Sequence, residues 1–146
     1  METGVLRLTA DDAEGLGILA AAVQDAVLKR EDMKLDRRAR AFGMEINRFQ
    51  WERAGRRGPY YRSRAVLAFS GVMQVRSQRL PGDPEEVLSI LDIQFHADVE
   101  PPSGRIAVIL AGGAELQLAV ECIDVTLYDT GTSWPTPRRP DHGRPA

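Results

Sequence analysis

Asn47, Arg48, Phe49, Trp51 and Glu52 form the most unusual cluster of polar and aromatic residues in the sequence. Aromatic side chains and arginine are the commonest anchors of protein interfaces. A short run that also carries a carboxylate and an amide can fix the orientation of a ligand. Asp25 is a further candidate beside it. The ordinary reading of the same residues is a local irregularity of the core, with Trp51 packed under a loop. A small enzyme built from Asp25, Asn47 and Arg48, with His96 as a further member, is the competing chemical reading. No catalytic residue is assigned. The sequence has no Gly-rich phosphate loop, no GxSxG and no HExxH.

Asp92, Gln94 and His96 alternate, so a strand would project them from one face about 6–7 Å apart. Such a row could hold a metal or move a proton. It is also what the solvent face of an antiparallel strand looks like. A transition-metal site needs further convergent ligands, and none is evident, so neither metal nor cofactor is expected. Cys122 follows the apolar series Leu116, Leu118 and Val120 and reads as a small buried hydrophobe.

Arg53, Arg56, Arg57, Arg62 and Arg64 surround Tyr60 and Tyr61. Arginine contacts phosphate and tyrosine stacks on bases, so the 53–64 stretch is a weak candidate for single-stranded nucleic acid. A solvated loop explains it as well. Residues 29–79 hold 14 Lys/Arg against 5 Asp/Glu, whereas the whole chain has a net charge of −2. Charge segregated along a sequence becomes a charged face only if opposite segments do not pack side by side. Nucleic acid is therefore not the expected partner.

These residues need elements to position them. The 146 residues suit one domain, and the 43% hydrophobic and 27% charged fractions are globular values. The expected division is a globular domain over 1–129 and a proline-rich tail over 130–146 with no regular element, in which Trp134-Pro135 can dock. The longest apolar run, Leu16 to Val23, is far short of the ~20 residues of a membrane span. The N-terminal residues are acidic where a secretory signal is basic. With one cysteine, the expected setting is the cytoplasm.

Val5 to Leu8 reads as a first strand. Thr9 is the expected helix cap, with Asp12 completing a capping-box pattern, and Leu16, Leu19, Ala20 and Val23 recur at helical spacing over about 10–24. Thereafter the period is two. A loop at Arg37–Arg40 sets Leu35 opposite Phe42 and Met33 opposite Met44. The apolar residues change parity near Asn47-Arg48, which predicts either a bulge or aromatics covering the other side of the sheet. Residues 53–63 read as a loop. Leu67, Phe69, Met73 and Val75 mark one strand, with Gly71 on the same face, and Leu91, Ile93 and Phe95 mark the next. A two-residue turn at Gly112-Gly113 would oppose Leu110 to Glu115. The expectation is instead a three- or five-residue loop with a left-handed glycine and a bulge, pairing Leu110 with Leu116, Val108 with Leu118 and Ile106 with Val120. A second parity change between Cys122 and Ile123 predicts a bend. The fold class is α+β: an N-terminal helix packed on a bent antiparallel sheet or partly closed barrel of six or seven strands.

Val23-Gln24-Asp25-Ala26-Val27, Asp32-Met33, Asn47-Arg48-Phe49-Gln50-Trp51-Glu52, Val120-Glu121-Cys122-Ile123 and Ser133-Trp134-Pro135-Thr136 give the chain its resemblance to a family of small bacterial proteins of alphaproteobacterial type, a domain of unknown function. The resemblance implies a cytosolic bacterial domain and brings no catalytic residues. The leading expectation is a non-catalytic binding or interaction module acting through Asn47–Glu52 on a protein partner, with no membrane role. The oligomeric state is not set by the sequence.

Overall fold

The computed structural model describes residues 6–55, 57–137 and 139–140. Its ladder begins with β1 (Arg7–Ala10), which α1 (Ala13–Ala22) follows directly. Thr9 is not the helix cap, because it lies in β1 opposite Thr126 and its backbone is committed to the sheet. Asp12 caps instead, its carboxylate accepting from the Gly15 N–H at 2.7 Å. The helix is therefore shorter than 10–24, but the stripe is as read. Leu16, Leu19, Ala20 and the C-cap residue Val23 are buried, and α1 packs on β1 and β7.

The remaining strands are β2 (Val27–Lys29), β3 (Met33–Asp36), β4 (Ala41–Phe49), β5 (Tyr60–Ser70), β6 (Val72–Gln78), β7 (Val87–Ala97), β8 (Gly104–Leu110), β9 (Glu115–Val120) and β10 (Val125–Thr136). All pairings are antiparallel, in the order β1-β10-β5-β4-β2-β7-β8-β9-β6, with β3 also on β4. The α+β class stands. The count of six or seven strands is corrected to ten among the described residues, in one bent sheet that does not close. Three sources explain the shortfall. The three-residue β2 is too short to show a period, and two apparent single strands are each broken by a corner.

Those corners fold the sheet over its core. Gly71, at φ 69°, breaks the first between β5 and β6. A side chain there would meet the left-handed penalty. Glu121–Asp124 breaks the second between β9 and β10, where the bend at Cys122-Ile123 was expected. The corners lie side by side, with Glu121 N–H donating to Gly71 O at 3.0 Å and Ser70 N–H to Asp124 O at 2.9 Å. Cys122 sits in this connection, half-buried, and not in the apolar row of β9.

The β3–β4 register is the predicted one, with Met33 opposite Met44 and Leu35 opposite Phe42. At the β8–β9 hairpin the glycines are left-handed, Gly112 at φ 84° and Gly113 at 85°. The register differs by two residues from expectation, however. The connection Ala111–Gly113 has one of the two expected lengths, three residues, and with it Val108 pairs with Leu116 and Ile106 with Leu118. A shift of two keeps every side chain on its face, so the pattern of parity could not detect it.

Two further bulges were not foreseen. One between Val72 and Gln74 leaves Met73 exposed, and one between Ile90 and Asp92 leaves Leu91 exposed while Ile90 and Ile93 are buried. The loop expected at 53–63 ends sooner, since β5 starts at Tyr60. β10 runs on to Thr136 and pairs Ser133–Thr136 with Tyr60–Ser63, so a regular element does extend past residue 130. Val5 falls outside the described residues. The basic middle segment is partly neutralised by the acidic segment after it, through Lys29–Glu85, Arg40–Glu121 and Arg48–Asp129.

Candidate functional site

β4 and β5 stay in unbroken register through Asn47–Arg64, Arg48–Ser63 and Phe49–Arg62, so there is no bulge at Asn47-Arg48. The second alternative holds: the aromatics cover the other side of the sheet. Arg48 simply continues the inward series Phe42, Met44, Ile46, and an arginine fills a position the pattern reserves for a hydrophobe. Its side chain is fully buried. Opposite it on β5 stands Ser63, small enough to let the guanidinium pass over to Asp129 on β10. Asp129 likewise continues an inward apolar series, Val125 and Leu127.

Arg48 lies between two carboxylates. Nε donates to Asp129 Oδ1 at 2.8 Å and Nη2 to Oδ2 at 3.0 Å; Nη1 and Nη2 donate to the two oxygens of Glu52 at 2.9 and 2.7 Å. Both pairs are bidentate, the strongest geometry available to guanidinium. Asp129 also accepts from Leu6 N–H at 2.9 Å and from the Ser63 hydroxyl at 3.2 Å, which ties the start of β1 to the cluster. Burial by itself opposes the Arg48 charge. The hydrogen bonds and charges of Asp129 and Glu52 outweigh it and hold the pKa above the ordinary guanidinium value. Next along the inner face is Gln50, fully buried, accepting from Arg53 Nη1 at 3.0 Å, with its Nε2 unpartnered. The bulge of β10 between Asp129 and Ser133 lets both residues meet this inner end.

The outer face carries the aromatics. Trp134, Arg62 and Phe49 stand in one cross-strand row on β10, β5 and β4. Phe49 is buried beneath Trp51, with ring centroids 4.6 Å apart, and beneath Tyr60 at 5.9 Å. Trp51 is fixed by a 2.8 Å hydrogen bond from Nε1 to Gln24 O, and the Arg139 guanidinium lies 5.4 Å from its ring. Arg62 sits 5.8 Å from the Phe49 ring and donates to Asn47 O at 3.3 Å. Burial lowers its pKa, and the charge of Asp25 resists that fall. Asp25 itself is held at φ 64°, its N–H donating to Ile90 O at 2.7 Å. Arg64 donates to the Asn47 side chain at 3.4 Å and to Glu45 at 3.1 Å.

A family model described as "Protein of unknown function (DUF2948)" matches residues 6–142. The chain belongs to this family. It is a domain of unknown function, as the Asn47–Glu52 stretch and the shorter matches implied. Comparison with curated proteins and comparison with solved structures each return no match.

The DUF2948 chain thus divides the sequence candidates between two faces. Asp25, Asn47, Phe49 and Trp51 go to the outer side with Arg62; Arg48 and Glu52 go to the inner cluster. Asn47 and Arg48 cannot act on one small substrate from opposite sides of a strand. His96 is exposed opposite Arg105, toward the far end of β7 from its pairing with β2. Asp92 and Gln94 hydrogen-bond each other at 3.0 Å. Among the described residues no three His, Cys, Asp or Glu are grouped to hold a metal ion, and no helix is long and apolar enough to cross a membrane.

Of the 53–64 candidates, Arg53 stacks on the Tyr61 ring at 3.8 Å, Arg62 and Arg64 are engaged as above, Tyr60 packs on Phe49, and Arg57 is exposed. Arg56 lies outside the described residues. Sequence reasoning missed Asp129 and Ser63. The usable signal was Asp129 itself, a carboxylate at the inward parity of Val125 and Leu127.

Proposed function

We propose that this DUF2948 protein is a non-catalytic binding module of the bacterial cytoplasm that engages a protein partner through the outer face of β4, β5 and β10. One observation carries the reading: Trp134 is 38% exposed in a row with half-buried Arg62 and buried Phe49, and Trp51 packs on that Phe49 ring. An exposed indole next to an arginine whose solvation is already reduced is the composition of an interface hot spot. The inner ion pairs support it by locking the strand ends beneath, so little order is lost on contact. The lone cysteine favours the cytoplasmic setting.

The test compares the wild-type chain with Trp134→Ala by in-cell crosslinking and mass spectrometry. A partner crosslinked near β10 in the wild type should fall at least tenfold in the variant and persist in Val99→Ser, which alters an exposed apolar residue elsewhere. Equal recovery with Trp134→Ala refutes the proposed face.

A further inference from the structure

The outer face of β6, β9 and β8 holds a second arrangement that no motif announces. Leu116, Leu118, Ile106 and Val108 point into the core, so their neighbours Gln117, Ala119, Arg105 and Ala107 point outward. The registers align Gln74, Ala119 and Arg105 in one row, and Arg76, Gln117 and Ala107 in the next. Ala119 at the middle of the sheet leaves a dip between longer side chains. The result is a depression of about 260 Å³ lined by Gln74, Arg76, Arg105, Gln117 and Ala119.

Its charge is one-sided. No carboxylate lines it. Among the described residues neither Arg76 nor Arg105 belongs to an ion pair, whereas Arg40, Arg48 and Arg64 all do. The nearby Glu115 is engaged by Gln117 Nε2 at 2.8 Å, and Gln117 Oε1 in turn accepts from Arg105 at 3.3 Å. Arg76 and Arg105 flank β9 from its two sides, offset by one row. Strand spacing puts their Cα atoms on the order of 12 Å apart, which two extended arginines can close over Ala119.

We propose that this depression binds a phosphate monoester. Two guanidinium groups arriving from opposite sides match a tetrahedral group that presents several oxygens and a charge near −2. A carboxylate is satisfied by one planar fork. The Gln74 amide supplies a further donor. Ala119 and the arginine stems give the carried organic group an apolar floor. This site is separate from the Trp134 face and does not depend on it.

The experiment is an NMR titration of the labelled full chain with phenyl phosphate, observing arginine Nε–H and glutamine side-chain amide signals. Saturable shifts should be confined to Arg76, Arg105, Gln74 and Gln117. Arg76→Gln and Arg105→Gln should each weaken binding roughly tenfold, about the worth of one charge-assisted hydrogen bond, and Arg38→Gln should not. All three positions are exposed, and retained spectral dispersion reports retained folding. Non-saturating shifts, equal binding of benzoate, or unchanged affinity in both variants would overturn the proposal.

Discussion

Replacing Arg48 by Met tests whether the buried cluster anchors the end of the sheet. The variant keeps side-chain volume and loses four charge-assisted hydrogen bonds. The two carboxylates then fare differently. Glu52 is 37% exposed and turns to water, which costs about 0–1 kcal/mol. The Asp129 side chain is fully buried and keeps only Leu6 N–H and the Ser63 hydroxyl. An unpaired buried carboxylate costs about 3–5 kcal/mol. Against a total of about 5–15 kcal/mol for a domain, that is a large share. Urea unfolding followed by circular dichroism should show the midpoint lowered by roughly 2 M, for an m-value of about 2 kcal/mol/M. Asp129→Asn added to Arg48→Met removes the stranded charge while keeping an acceptor for Leu6. The double variant should therefore be more stable than Arg48→Met alone by about 1–3 kcal/mol. Arg48→Met within about 1 kcal/mol of wild type, or a double variant that is no better than the single, would refute the account.

Other outcomes follow from single positions. Glu52→Gln should cost only about 0.5–1 kcal/mol in the same assay, because water replaces what is lost. Ser63→Leu fills the passage of the Arg48 side chain and should cost more than about 2 kcal/mol, read as a drop in melting temperature. Gly104→Ala puts a Cβ at 2.5 Å from His96 O and 2.6 Å from the Phe95 ring, so the β7–β8 end must shift; a loss of about 1–3 kcal/mol is expected. Arg48 binds its proton more tightly folded than unfolded. Its stabilisation is complete below the ordinary guanidinium value and is lost only as pH rises through the higher folded value. The Arg48→Met deficit measured by urea at about pH 6 and about pH 9 should therefore show no contribution from Arg48 titration.

Local alternation of apolar and polar residues sets the class of fold and much of its register. Alternation over Met33–Leu35 and Phe42–Ile46, joined through a four-residue loop at Arg37–Arg40, admits one pairing that buries both apolar sets, and that pairing is the one found. The parity change at Cys122-Ile123 marked a real corner for the same reason, since side-chain period in a strand is fixed at two. Parity is blind to shifts of two, which is why the Gly112-Gly113 hairpin was misregistered. It is blind also to which face is inside once both are apolar. Phe49 and Trp51 suggested that the core face had flipped, while the core had kept Arg48. Long-range packing settles that point, by bringing Asp129 within hydrogen-bond reach across Ser63 from 81 residues away. A buried arginine is affordable only where carboxylates converge on it, and that convergence is a property of three strands together. The same holds for Arg76 and Arg105. Each is an unremarkable surface residue in its own strand, and they face one another only because β9 lies between them with an alanine at its surface.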